Sequence, residues 1–197
     1  KTYEVGVVSD LAYGALGYRG YENPSFLSTP GAKDVGIEFY TFSKTFNMAG
    51  WRLAFAAGDD QMIEALNLIQ DHLFVGIFPA LQEAGIAALL DPKSEEAVAQ
   101  LNATYDSRRD AFVQAAAKIG WQAFPSRGSF YAWMPVPEGY TSESFADLLL
   151  EKAHVAVAPG KGFGPAGDAY VRIGLLVEPE RLGEAVNRIA NLHLFNN

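Results

Sequence analysis

Lys44 and Arg52 bracket a short Gly-containing turn in the stretch FSKTFNMAGWRLAF, residues 42–55, where the surroundings are otherwise apolar. An ammonium withdrawn from water is expensive, so a lysine in such a setting is expected to have a partner or a task. A lysine amine does covalent work by forming a Schiff base with a carbonyl group. That requires the neutral amine, and hence burial or a neighbouring cation to depress its pKa.

Pyridoxal phosphate is the commonest carbonyl cofactor held in this way, and it asks for more than a lysine. An acid must pair with the pyridine nitrogen, and donors must meet a phosphate dianion. Asp10, at the end of VGVVSD, can bond the ring nitrogen and keep it protonated, and the Tyr13 hydroxyl can reach the phenolic oxygen. Thr41, Ser43 and Arg52 surround Lys44 with two hydroxyls and a forked cation suited to phosphate. Each residue also has a plainer reading. A loop lysine is commonly a solvated cation, Asp10 can cap a turn, Tyr13 can be core, and hydroxyls beside a turn cap backbone groups.

The elements that must position these residues follow from pattern. YEVGVVSD (3–10) reads as a buried strand, followed by an irregular Tyr- and Gly-rich loop, and VGIEFYTF and WRLAFAAG read as the second and third strands. The pattern then turns helical. Asp59 and Asp60 stand in capping positions before MIEALNLIQDHL, apolar residues after Pro79 recur at helical spacing, and a helix over about 94–119 stops at Gly120. Beyond it the scale is smaller: strands at SFYAWMPV, VAVAP and AYVRIGLLV, a capped helix at SESFADLLLEKA, and a closing helix from Pro179. The fold class expected is α/β, with residues 1–95 and 96–197 as two domains joined by the long helix.

Composition narrows the chemistry. The chain has 197 residues, 49% hydrophobic and 19% charged, as a globular protein with a real core should. Its formal net charge of -8 argues against a nucleic-acid partner. No cysteine is present, so disulfides, thiolate metal sites and thiol nucleophiles are excluded, and His72, His154 and His193 have no metal-ligand spacing. No metal is expected. With no signal peptide or transmembrane-length apolar run, no membrane association and a cytoplasmic location are expected. The chain opens with Lys1 on what reads as a core strand, as though part of something larger. GFGPAG (162–167) has the spacing of a dinucleotide-binding loop, but a proline interrupts it and a strand follows where a helix is needed. A plain turn is the better reading.

SKTFNMAGWR, together with SDLAY upstream, resembles the signature of the fold-type I, class I/II aminotransferases, with Thr41 where Ser or Gly is usual. GSFYAW (128–133) resembles the family's glycine-aromatic strand, and AYVRIGLL supplies Arg172 where the family carries an arginine for the substrate α-carboxylate. The resemblance covers essentially the whole chain, as the C-terminal half of a family member. It implies the end of a large pyridoxal-phosphate-binding domain, with a mixed, mostly parallel sheet and helices, plus a small α/β sandwich domain. Lys44 is then the catalytic residue, Asp10, Tyr13, Thr41, Ser43, Lys44 and Arg52 bind the cofactor, and Arg172 binds substrate. Amino-group transfer between an amino acid and a 2-oxo acid is implied, as is a homodimer. The apolar run HLFVGIFPAL, and the lack of an arginine between Arg52 and Arg108, tilt the substrate toward an uncharged, methionine-like or aromatic side chain. In detail the motifs look most like bacterial methionine-salvage and diaminopimelate-type transaminases. The alternatives are a β-lyase or decarboxylase reaction on the same fold, or an inactive truncated fragment.

Overall fold

A computed structural model of the chain describes residues 2–124 and 126–195. The chain divides into two compact units, Lys1–Asn102 and Ala103–Asn197.

The first unit is built on a three-stranded sheet in the order β1 (Val7–Asp10), β2 (Gly36–Thr41), β3 (Ala54–Gly58). β1 runs parallel to β2, with Asp10 opposite Phe39, and β3 runs antiparallel, with Thr41 opposite Ala54. The sheet is mixed as expected. Its pairs are evenly divided, however, because the lysine stretch turns the chain straight back instead of crossing a face of the sheet. β1 is also shorter than expected. Its partner runs out at Gly36, which follows a 3-10 turn over Ala32–Asp34. The third strand starts late for a local reason: Ala49–Trp51 is a 3-10 turn and Arg52 is left-handed at φ 53°, so pairing begins only at Ala54.

Four helices accompany this sheet along the chain: α1 (Phe42–Thr45), α2 (Asp60–Leu73), α3 (Pro79–Leu90) and α4 (Ser94–Lys118). α2 begins where its cap predicts, with the Asp59 carboxylate accepting the Met62 amide at 3.0 Å. Pro79 opens α3 at a position where its missing N–H costs nothing. α4 ends as Gly120 takes φ 82° and the Trp121 amide returns to the Ala116 carbonyl. The division between the units falls inside α4, after Asn102.

In the second unit β4 (Tyr131–Pro135), β5 (Ala158–Pro159) and β6 (Tyr170–Gly174) form an antiparallel sheet in the order β4-β6-β5. Of the expected strand VAVAP only Ala158 and Pro159 pair, since the chain enters a 3-10 turn at Gly160. α5 (Ser142–Leu148) carries a Thr141–Ser144 capping box and runs into a π-helical turn, Leu149–Ala153; α6 (Pro179–Ala190) closes the fold. Alternation decides the faces of the sheet. Ala132, Met134, Val171 and Ile173 are buried with Phe112, Phe145, Leu149, Val186 and Ile189, and Trp121 joins them with its indole N–H bonded to the Pro135 carbonyl at 2.7 Å. Tyr131, Trp133, Tyr170 and Arg172 occupy the opposite face.

Among the described residues, no helix is long and apolar enough to cross a membrane.

Candidate active site

Parallel pairing puts the C-terminal ends of β1 and β2 at one edge of the first sheet, and ligands of open α/β sheets bind outside such an edge. Asp10 is the last residue of β1 and Tyr13 lies in the loop that leaves it. Thr41 is the last residue of β2, and Ser43, Lys44 and Arg52 belong to the segment that joins β2 to β3. All six therefore gather at the same edge.

The return of the chain is closed at its neck. The Phe42 amide donates to the Leu53 carbonyl at 3.1 Å, and the Thr41 hydroxyl donates to the same carbonyl at 3.4 Å. The Thr41 oxygen also accepts the Ser43 amide at 3.1 Å, capping α1. Phe42, Ser43 and Thr45 are buried, and the Tyr40 and Thr45 hydroxyls meet at 2.8 Å. Lys44, half-buried, is the residue of this turn left to project. Its Nζ lies 5.9 Å from the centre of the Tyr13 ring. Arg52 is exposed, and its Nη1 donates to the Ala49 carbonyl at 3.2 Å. A left-handed arginine costs about 1–2 kcal/mol, so the closed neck must hold it there.

Three supporting residues escaped the sequence reading. The Asn23 amide nitrogen lies 3.1 to 3.2 Å from the carbonyls of Tyr13, Gly14 and Leu16, gathering the loop that carries Tyr13. Gly85, buried in α3, lets that helix sit on the lysine turn: a Cβ there would lie 2.6 Å from Leu53 Cδ2 and 3.3 Å from Phe42 Cζ. Glu38, in the middle strand, is only 7% exposed and accepts hydrogen bonds from the Ser25 hydroxyl at 2.6 Å, the Phe26 amide at 2.8 Å and the Ser9 hydroxyl at 2.9 Å. Burial pushes its carboxyl pKa up, but the bonds from Ser25, Phe26 and Ser9 outweigh this and hold it below the ordinary value. A lone carboxylate inside the apolar run VGIEFYTF was the available signal.

Arg172 belongs to the second unit. It stands on β6 directly opposite Trp133, beside a cavity of about 360 Å³ that Ser126, Arg127, Ser129, Tyr131 and Trp133 also line. Its Nε is sealed from solvent and has no hydrogen-bond partner among the described residues. GFGPAG falls across two 3-10 turns, Gly160–Phe163 and Pro165–Ala169, that lead into β6.

The family model described as aminotransferase class I and II matches residues 1–189. The chain belongs to this family. It is 59% identical over 189 residues to the L-glutamine--4-(methylsulfanyl)-2-oxobutanoate aminotransferase of Bacillus subtilis (strain 168), covering 96% of this chain and 47% of that protein. To the LL-diaminopimelate aminotransferase of Moorella thermoacetica it is 47% identical, over 96% of this chain and 48% of that one. The substrate-bound structure of BacF from Bacillus subtilis superposes with a TM-score of 0.93 at 44% identity, covering 98% of this chain and 49% of that one. The chain thus spans about half the length of the curated relatives it matches.

Class I and II aminotransferases are pyridoxal-phosphate enzymes, and the donor set at the edge of the first sheet suits that cofactor. A carboxylate, a half-buried amine, a phenol and a forked cation are the groups a phosphorylated pyridine aldehyde calls for.

Proposed function

We propose that the full-length protein is a pyridoxal-phosphate-dependent aminotransferase acting between an amino acid with an uncharged, methionine-like or aromatic side chain and a 2-oxo acid. The gathering of Asp10, Tyr13, Lys44 and Arg52 at one sheet edge carries this reading. When bound, the cofactor supplies a carbon to carry the amino group and a ring to accept electrons.

The chain's own residues do the rest. Lys44 Nζ would hold the cofactor at rest until the substrate amine displaces it, and the freed amine would then take the proton from the substrate Cα and return it on the same face, as base and then acid. Asp10 would keep a proton on the ring nitrogen, and Tyr13 would donate to the phenolic oxygen. Arg52 and the Ser43 hydroxyl would meet the phosphate. Thr41, whose hydroxyl is engaged within the turn, shapes the site by capping α1. Arg172 would donate two N–H bonds from its fork to the substrate carboxylate.

The side-chain preference is supported by the relative named for 4-(methylsulfanyl)-2-oxobutanoate, and by the apolar 72–81 segment. Exposed Leu73, Phe74, Phe78 and Leu90 are apolar surface for the rest of the full-length protein or a second subunit to cover, and the homodimer rests on the family resemblance. A cysteine-free sequence fits a cytoplasmic protein.

Borohydride treatment of the full-length holoprotein, followed by proteolysis and mass spectrometry, should leave the reduced cofactor on the peptide containing Lys44. A label on another lysine would overturn the assignment. A panel of 2-oxo acids should show turnover that depends on the oxo acid, greatest with methylthio or aromatic side chains. Elimination or decarboxylation without an oxo acid would point to a lyase instead.

A further inference from the structure

The guanidinium of Arg172 is held by rings on more than its own strand. Its Cζ lies 4.1 Å from the centre of the Tyr131 ring and 4.1 Å from the centre of the Phe163 ring. Both rings therefore pack within cation–π reach of the same guanidinium carbon. Tyr131 comes from the neighbouring strand β4, on the same sheet face as Arg172. Phe163 comes from outside the sheet, on the turn Gly160–Phe163, and its ring also meets Trp133 edge-on at 5.9 Å.

That turn is anchored independently of Arg172. Gly160 and Gly167 touch through their backbones, so closely that a Cβ on Gly160 would fall 2.1 Å from the Gly167 carbonyl oxygen. The Ser142 hydroxyl, fully buried, donates to the Asp168 carboxylate at 2.7 Å and accepts the Lys161 amide at 3.2 Å. The turn is thereby tied to the start of α5. Phe163 itself is 53% exposed and carries little of the fold's packing.

We propose that Phe163 is a positioning residue that, with Tyr131, clamps the Arg172 guanidinium in one plane, so that a planar carboxylate is taken edge-on. The proposal rests on the reading of Arg172 as the substrate carboxylate site. Rings packed against the guanidinium carbon leave its N–H edge for binding, where two parallel N–H bonds reach a carboxylate. They also remove rotamer freedom that binding would otherwise have to remove. Because the carboxylate is held equally before and during the chemistry, loss of the clamp should weaken binding without slowing turnover.

The test uses the full-length holoenzyme, with 4-(methylsulfanyl)butanoate as a carboxylate probe and its primary amide as control. Phe163→Met keeps the volume and removes the π face, while Phe163→Trp keeps the face. Phe163→Met should raise both the calorimetric Kd for the carboxylate and the substrate KM about tenfold, with kcat within about threefold of the parent, and Phe163→Trp should restore both. The amide should bind all forms alike. Arg172→Gln separates the two readings. If it leaves carboxylate affinity unchanged, Arg172 is not the carboxylate site. If it weakens affinity while Phe163→Met does not, Arg172 stands and the clamp is overturned; a fall in kcat at constant KM overturns it equally.

Discussion

The Glu38 carboxylate meets the Ser25 hydroxyl at 2.6 Å, pinning the chain ahead of the 3-10 turn Phe26–Ser28 to the middle strand of the first sheet. Ser9, opposite Glu38 in the ladder and next to Asp10, bonds the same carboxylate. One buried side chain thus braces both the strand that ends in Asp10 and the loop that follows it.

Removing that brace should be costly. Glu38→Ala leaves two hydroxyls and an amide without their acceptor and should lower stability by about 3 kcal/mol, and Glu38→Gln by about 1–2 kcal/mol, in urea denaturation. The sign of the pH dependence follows from the lowered pKa. The carboxylate's contribution is fully present above the ordinary value of 4.5 and is lost as pH falls through the lower folded value. The urea midpoint of the parent should therefore fall below about pH 4.5, and Glu38→Gln should flatten that fall.

Asn23 offers N–H to a cluster of carbonyls, so reversing its polarity should do more harm than deleting it. Asn23→Asp turns an acceptor toward Tyr13 O, Gly14 O and Leu16 O and should destabilise by about 2–3 kcal/mol, against about 1 kcal/mol for Asn23→Ala. Hydrogen exchange at residues 13–16 reads the effect directly.

Gly85 lies in the body of a helix, where alanine would ordinarily stabilise by about 0.5–1 kcal/mol. Here the Leu53 methyl must give way, so Gly85→Ala should be near neutral. Gly85→Val, which also presses on Phe42, should cost about 2 kcal/mol and raise the concentration of pyridoxal phosphate needed for half-saturation, because Phe42 and Leu53 close the lysine turn.

Arg172→Lys keeps the charge and loses both the fork and the flat surface against the rings. It should lower kcat/KM about 100-fold, mostly through KM, in steady-state assays of the full-length enzyme.

Much of the fold was legible because its signals are local. Asp59 before α2, Pro79 at the head of α3, Thr141 before α5 and Gly120 after α4 each act within a turn or two of their own position. Strand ends were less legible, because a strand lasts only as long as its partner does. Val7 marks where Gly36 becomes available, and Ala54 marks where the left-handed Arg52 lets pairing begin. The residues proposed for the cofactor, Thr41 apart, stand in SKTFNMAGWR and SDLAY, short contiguous motifs that need no tertiary information to be noticed.

The sequence by itself determined the α/β class, the helices and the family signature, because caps, periodicity and a contiguous motif are short-range properties. Tertiary structure alone decided that Glu38 would be met by Ser9 and Ser25, that Gly85 would sit on Leu53, and that Phe163 would cover the guanidinium of Arg172. Those contacts join residues that share no element of secondary structure. They exist only once the strands have paired and the turns have closed, since nothing in the local pattern of either partner encodes the other.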